Sequence, residues 1–467
     1  MGLTIAVDFG STYTKVVAID LDKEELVGVA QSPSTVGTDM TIALHRAMEE
    51  LRLGIKAAKI EPEKIVASSS AAGGLNVAAA GLVKNLTAKA AEEAALGAGA
   101  KLTHTYANGL SPDDVREIEE ASPDIILLTG GTDGGNWECI VNNASLLAKA
   151  KLSAPVILAG NKLAAAEART LLESGGKEAI VVENVLPQLD LLNVEPTRAV
   201  IRETFMKRII RAKGLDKAKQ LVGDIIMPTP TAVLMAARLL AEGTEQESGI
   251  GDVAVVDVGG ATTDVDSVAH GYPSGDAILK GLPEPYLKRT VEGDLGIRYN
   301  ADTILHKAGK KKLMDRIASI DESLAGRMDV EAMVETLSRC IESVPKSETD
   351  RCLDTALSCV AVEMAMKRHC GRLEEVYFPM GKARIQHGKD LTNIKCVIGT
   401  GGVFAYGREQ GRILKSGCFD QSSPESLRPQ KPEFFIDERY ILYAIGLLSE
   451  AFPSAALRIM KKHLKKI

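Results

Sequence analysis

The feature that most constrains this chain is a pair of matching acidic hairpins, one near the start and one just past the middle. The first is Asp8-Phe9-Gly10-Ser11-Thr12-Tyr13-Thr14-Lys15 and the second is Asp257-Val258-Gly259-Gly260-Ala261-Thr262-Thr263-Asp264. Each follows an apolar run of strand type (3–7 and 253–256) and leads into a return strand (14–19 and 265 onward). In such a turn glycines let backbone N–H groups approach an anion, Ser and Thr add donors, and Lys15 adds a point charge. An Asp on each hairpin can hold Mg²⁺ through water or phosphate oxygens. A third glycine turn, Gly399-Thr400-Gly401-Gly402, with Val403 next, follows Cys396-Val397-Ile398. Three such turns in one chain predict a phosphate-binding cleft.

At these residues the sequence resembles the actin-like ATPase superfamily, which includes actin, hexokinase, the Hsp70 chaperones and several enzyme reactivators. The resemblance implies an α/β fold of two RNase H-like lobes around a cleft for ATP or ADP with Mg²⁺. Gly10, Ser11, Thr12 and Lys15 then grip the phosphates from one lobe, and Gly259, Gly260, Ala261 and Thr262 from the other. Gly399, Gly401, Gly402 and Val403 lie under the adenosine, and Asp8 and Asp257 serve the metal. Two connecting helices cross beneath the cleft. Pro230-Thr231-Ala232, running on through Ala237, resembles the first; Asp437-Glu438 with Tyr443-Ala444-Ile445-Gly446 resembles the second. Asp264 is the third candidate catalytic carboxylate. It either orients or deprotonates the attacking water, or bonds its own turn. Glu292 and Asp294, in the polar turn 290–296, are further candidates near the nucleotide.

A chain of 467 residues has room for two or three cores. Residues 1–54 and 200–250 read as the first lobe, and 251–467 as the second, with a helical subdomain at about 300–375. Strand-type and helix-type segments alternate between them, as in βαβ units on a parallel sheet. Residues 55–199 therefore read as an α/β domain inserted in the first lobe. Its loop Gly130-Gly131-Thr132-Asp133-Gly134-Gly135 follows a buried-type strand, where open α/β sheets bind ligands. It is a second phosphate-type site, a partner-facing loop, or a connection that needs flexible residues; the second and third readings are preferred. Further on, 375–379 and 396–399 read as strands returning to the cleft, and 408–416 as a solvated helix.

The net charge of −6, with no basic domain, argues against a nucleic-acid partner. The one basic cluster, 458–466, reads as the last turns of an amphipathic helix. No apolar run reaches the roughly 18 residues that span a bilayer, and Asp8 interrupts any leader, so the reading is cytoplasmic with no membrane partner. Seven cysteines without a CxxC fit free, mostly buried thiols. An iron–sulfur cluster would need a compact ligand set, which the spacing lacks.

A narrower resemblance spans essentially the whole chain. The opening 5–15, the loop Ser68-Ser69-Ser70-Ala71-Ala72-Gly73-Gly74, the stretch 128–136 and the second hairpin are similar to the glutamate mutase accessory protein family. That resemblance implies an ATP-dependent reactivating chaperone whose partners are subunits of an adenosylcobalamin-dependent mutase, from which it releases damaged cobalamin. In Hsp70-like relatives a Glu before the Pro-Thr-Ala of the first connecting helix helps place the attacking water. Thr229 stands there in this chain. A slow ATPase working as a switch follows from that departure. A small-molecule kinase of the same fold, a reductive activator with an iron–sulfur cluster and a non-catalytic assembly protein are the rival readings.

Overall fold

The computed structural model describes residues 2–10, 12–35, 38–57, 59–70, 75–98, 100–189, 191–212, 221–222, 225–378 and 381–467. Ser11 and most of the small-residue loop after Ser70 lie outside the described residues.

The apolar run Leu3–Phe9 (β1) returns antiparallel as Tyr13–Asp20 (β2), and Glu25–Pro33 (β3) extends the sheet. Asp39 starts the next helix, Met40–Gly54 (α1), by accepting the Thr41 amide at 3.0 Å. Met40, Ala43, Leu44, Ala47 and Leu51 form its buried stripe. Lys64–Ser69 (β4) then pairs parallel with β1, from Thr4 opposite Lys64 to Phe9 opposite Ser69. This strand therefore belongs to the first-lobe sheet and not to the inserted unit of 55–199.

The inserted unit is a sheet of five parallel strands: Leu75–Gly81 (β5), Ala100–Ala107 (β6), Ile125–Leu128 (β7), Val156–Leu158 (β8) and Ala179–Val181 (β9). Its order is β6-β5-β7-β8-β9, so the chain leaves β5 toward one edge and comes back past it to build the other. The crossovers carry Lys89–Gly97 (α2), Pro112–Ala121 (α3), Glu138–Lys149 (α4) and Ala165–Ser174 (α5). β6 and α3 have no counterpart among the sequence expectations. Lys101, Thr103 and Thr105 give this edge strand a polar look, and α3 is announced only by a capping box, Ser111 with Asp114. One face of the sheet (Val77, Ala79, Ile125, Leu127) shares a continuous core with Ile5, Val7 and Leu44. The other face (Ala78, Ala80, Ile126, Leu128) packs on α3, α4 and α5. The inserted layer is thus fused to the first lobe.

Glu195–Ala212 (α6) leads back to Ile225–Pro228 (β10), which pairs with β4 and completes the order β10-β4-β1-β2-β3. Thr229–Glu242 (α7) carries the chain into the second lobe. There Val253–Val258 (β11) and Thr263–Val268 (β12) form the second hairpin. Ile278–Leu279 (β13), Leu287–Glu292 (β14), Arg372–Phe378 (β15), Gly381–His387 (β16), Cys396–Thr400 (β17), Glu433–Asp437 (β18) and Leu464–Lys466 (β19) follow. They sort into a six-stranded sheet, β14-β12-β11-β17-β18-β19, and a separate three-stranded one, β13-β16-β15.

Three expectations are corrected here. The 375–379 strand joins the small sheet, because its antiparallel partner is β16 rather than a cleft strand. The helix near 408–416 spans Gln410–Ser416 and buries Ile413 and Leu414, so it is anchored and not merely solvated. The basic tail leaves its helix after His463 and pairs as β19 with β18, while Lys465 reaches Glu438 at 2.6 Å and Lys466 reaches Glu433 at 2.5 Å.

Beneath the sheets α7 crosses the helix Leu442–Leu448. A Cβ placed on Gly446 would sit 1.8 Å from the Ala232 carbonyl oxygen, so only glycine permits this approach. Ala6 and Val17 of the first lobe and Val253, Val255, Cys396 and Ile398 of the second share one core with this crossing.

Candidate functional site

The two hairpins are built alike. In the first, the Gly10 amide donates to the Tyr13 carbonyl at 3.0 Å; in the second, the Gly259 amide donates to the Thr262 carbonyl at 2.9 Å. Asp8 faces Lys15 across its hairpin and Asp257 faces Asp264 across the other, in the same register. Equal geometry with opposite charge gives the two aspartates different fates.

Asp8 is buried and fully engaged within its own lobe. It accepts Lys15 Nζ at 3.1 Å, Ser68 Oγ at 3.3 Å from the end of β4, and a short bond from Thr229 Oγ1 at the start of α7. Thr229, the residue that replaces the expected carboxylate, therefore fixes Asp8. Lys15 Nζ also lies 3.8 Å from the centre of the Tyr440 ring. Burial would lower the Lys15 pKa, but Tyr440, Asp8, Tyr443 and Asp257 outweigh it and hold the ammonium well above its ordinary range.

Asp257 accepts no hydrogen bond and makes no ion pair among the described residues. Burial, then the Asp264 carboxylate, push its pKa to about 7 against the pull of Lys15; Asp437 and Asp8 add to the push. Lys15 and Asp257 lie near enough for their charges to act on each other, with Tyr440 against the first and the Gly401 turn against the second, so the two hairpins face one another. An unpaired carboxyl with a raised pKa is the electrostatic signature of a group that gains from a cation. Among the described residues no three acidic, His or Cys side chains cluster to cage a metal. Mg²⁺ held by one or two carboxylates that completes its shell with phosphate oxygens and water fits this donor set.

Asp264 turns toward Arg289 of β14, with Nη2 2.9 Å from its carboxylate, rather than into its own turn. Arg289 Nη1 also donates to the Leu96 carbonyl at the end of α2, at 3.3 Å. One guanidinium thereby joins the second hairpin to the inserted unit. Nearby, Arg198 donates to both the Glu93 and Leu287 carbonyls at 3.2 Å. Small Ala90, Ala91, Ala94 and Ala95 let α2 fit tightly into this position. Replacing Arg289 with Ala leaves Asp264 without its ion pair and removes the nearest cation to buried Asp266. A loss of ~3 kcal/mol or more is expected on thermal or denaturant unfolding, and adding Asp264→Asn should recover part of it.

The third turn abuts the second. Gly401 has φ +102°, and a Cβ there would lie 2.5 Å from the Val258 carbonyl oxygen and 2.7 Å from Asp257 Oδ1. Gly402 faces open space, whereas Val403 packs against the second-lobe core. Thr400 Oγ1 donates to Asp437 at 3.0 Å, and Asp437 accepts the Ile441 and Leu442 amides at 2.9 Å each, capping the second connecting helix. The carbonyls of the second hairpin turn face inward. Gly260 accepts the Arg298 and Tyr299 amides at 2.9 Å, and Ala261 accepts Asn300 Nδ2 at 3.0 Å. Of the remaining candidates, Thr12 is exposed at its hairpin tip. Glu292 and Asp294 are both paired with Arg368, the latter at 2.8 Å.

Residues the sequence reading passes over are Arg289 and Tyr440. Tyr440 has φ +55°, an unusual conformation for a residue of its size, and nothing in the residue type announces it. The Gly130–Gly135 loop is a built connection: Asn184 Nδ2 donates to the Gly131 carbonyl at 3.0 Å and Asn161 Nδ2 to the Gly135 carbonyl at 3.0 Å. Cys352, Cys359, Cys370, Cys396 and Cys418 are buried. Burial raises Cys370 and Cys396 to about 12, so both stay protonated thiols in the folded chain. No helix among the described residues is long and apolar enough to cross a membrane.

Two lobes, duplicated acidic hairpins across one crevice and two helices crossing beneath define an actin-like ATPase fold. Within that class the chain belongs to the MutL protein family, whose profile matches residues 4–464. It is 47% identical to Protein MutL of Clostridium tetanomorphum over 468 residues, covering 100% of both chains. Among solved structures it is similar to an acetone carboxylase (13% identity, TM-score 0.40, 96% of this chain and 70% of that one). A glycerol dehydratase reactivase matches at 10% identity and TM-score 0.35, covering 96% and 99%. Gluconate kinase of Lactobacillus acidophilus matches at 10% identity and TM-score 0.35, covering 100% and 93%.

Proposed function

We propose that this chain is an ATP-dependent reactivating factor for an adenosylcobalamin-dependent mutase of the glutamate mutase type, binding Mg-ATP between its hairpins and hydrolysing it slowly to drive release of damaged cobalamin. The observation that carries the nucleotide part is Asp257, an unpaired carboxyl facing Lys15 and Asp8 across the crevice. The full-length family membership carries the accessory role. In this reading Asp257 faces the metal, and the hairpin turns present to the phosphates the amides that Gly10 and Gly259 leave free, those of Thr12 in the first and of Gly260 and Ala261 in the second. Gly399, Gly401 and Gly402 lie by the adenosine. Lys15 balances the phosphate charge.

Slow turnover follows from how the carboxylates are used. Asp8 is saturated by Lys15, Ser68 and Thr229, and Asp264 gives one oxygen to Arg289 while its buried Oδ1 meets no donor among the described residues. Asp257 then serves the metal, which leaves of these three only an Asp264 already tied to a guanidinium to take a proton from water. Closure of the lobes around a nucleotide would be felt by the inserted unit through Arg289, which bonds both Asp264 and the end of α2. The inserted parallel sheet resembles in layout the small α/β layers that bind cobalamin, and can compete for their place on the mutase. Nucleotide can shift that competition only by its difference in affinity for the two states.

The test is exchange of an inactive cobalamin for adenosylcobalamin on the inhibited mutase. Exchange that needs both this protein and Mg-ATP is expected, with calorimetry showing mutase affinity that differs between Mg-ATP and Mg-ADP. Equal exchange and equal affinity with either nucleotide sinks the proposal.

A further inference from the structure

The C-terminal edge of the inserted sheet holds a cavity that the nucleotide cleft does not use. It measures about 530 Å³ and is bounded by the segments that follow β5 and β6 and by the start of α4. The Asn108 amide donates to the Leu82 carbonyl at 3.0 Å and joins the first two of these segments. The position has a topological reason. In the order β6-β5-β7-β8-β9 the direction of building reverses at β5, and a crevice opens where loops on either side part company. Ligands of open α/β sheets bind outside the carboxyl ends of the strands at that reversal.

The lining decides the ligand's chemistry. Asn108, Asn136, Asn142 and Asn143 supply amides, and Cys139 and Glu138 complete the α4 side; none of the ten lining residues is Lys, Arg or His. Two of the amides have structural duties. Asn143 Oδ1 accepts the Leu110 amide at 2.8 Å, and Asn136 Oδ1 accepts the Cys139 amide at 3.1 Å. Asn108 and Asn142 are exposed, and their side chains have no protein partner among the described residues. An anionic ligand would meet Glu138 with no cation to balance it, and an apolar one would strand the amides. A side-chain amide pairs two-pronged with a neighbouring donor and acceptor, as on the edge of adenine or in a primary carboxamide. The volume falls in the range of small-molecule sites, in a groove open to solvent and lined mainly by polar residues.

We infer that this cavity is a second ligand site, separate from the nucleotide cleft, for a neutral molecule that presents an adenine-type edge or a primary carboxamide to Asn108 and Asn142. It stands apart from the reading of the cleft and holds or fails whether or not ATP drives cobalamin exchange.

Cys139 lies in the wall, half-buried, and Cys340 is exposed elsewhere, so the full chain carries its own reporter and control. With Mg-ATP saturating the cleft, adenosine or nicotinamide is expected to slow alkylation of Cys139 several-fold while Cys340 reacts unchanged. Protection by adenosine assigns a nucleobase, and protection by nicotinamide a carboxamide. Asn142→Ala, on an exposed helical position, and Asn108→Gly, at a site with φ +66°, should each weaken protection by roughly tenfold, about the worth of one hydrogen-bonded pair. Protection by neither compound at millimolar concentration overturns the inference. So does equal protection by inorganic phosphate, or protection that survives in both variants.

Discussion

Asp257→Asn is expected to weaken Mg²⁺-dependent nucleotide binding by roughly 100-fold, about 2.7 kcal/mol, while leaving the fold intact. The amide removes a carboxyl that has no protein partner among the described residues, so nothing inside the lobes is stranded by the change. Calorimetric titration with Mg-ATP measures it, and a shift of less than a few-fold would place the metal elsewhere. The same residue fixes a pH dependence. Burial and Asp264 raise its pKa from 3.8 to about 7, so the folded apoprotein holds a proton there that the unfolded chain has released. The stability this contributes is fully present below about pH 4 and is lost as pH rises through about 7. After allowance for solvent at the crevice mouth the contribution is ~1–2 kcal/mol. Asp257→Asn should therefore stabilise the apoprotein at pH 8 relative to wild type, with the advantage shrinking below pH 7 and vanishing toward pH 4. Binding runs in the other direction. Mg-ATP must displace the proton, so wild-type affinity falls as pH drops below 7, and the variant lacks this slope.

The residues that made the fold readable are those whose chemistry is local. Asp-Gly hairpins after apolar runs, the Gly399–Gly402 turn and the Pro-Thr-Ala helix start all declare themselves within a few positions, and the structure sets Lys15 beside Asp8 and Gly401 beside Asp257. What stayed hidden depends on distant partners. Lys64–Ser69 looks like any short strand until β1 is placed beside it, so the sequence alone puts it inside the insertion. Leu464–Lys466 continues a helical pattern, and only the open edge of β18 turns it into a strand. Arg289 is one more basic residue in sequence. Its role appears once α2 supplies the Leu96 carbonyl and β12 supplies Asp264. Thr229 is the intermediate case. Its position declares a missing carboxylate, yet its grip on Asp8 needed the end of β4 and the start of α7 to be side by side.

At the crossing of the two connecting helices, Gly446→Ala is expected to lower the melting temperature by several degrees, and Gly446→Val to abolish soluble folded protein. Two effects oppose each other. Inside a helix Ala is favoured over Gly by about 1 kcal/mol, so propensity alone would make Gly446→Ala stabilising. Against this, the added methyl would sit 1.8 Å from the Ala232 carbonyl oxygen and 2.4 Å from its carbonyl carbon. That clash is with backbone, so no rotamer change relieves it, and α7 must move away from Leu442–Leu448. Both helices are clamped: Ala232, Ala236, Ala444 and Ile445 are fully buried in the core that spans the two lobes. Overpacking of this kind costs ~1–3 kcal/mol even where side chains can adjust, so it outweighs propensity. Because the obstacle is a carbonyl and not a side chain, Ala232→Gly should fail to rescue Gly446→Ala. Rescue by that second change, or a raised melting temperature for Gly446→Ala alone, would show that the helices are free to part and that the crossing does not hold the lobes in register.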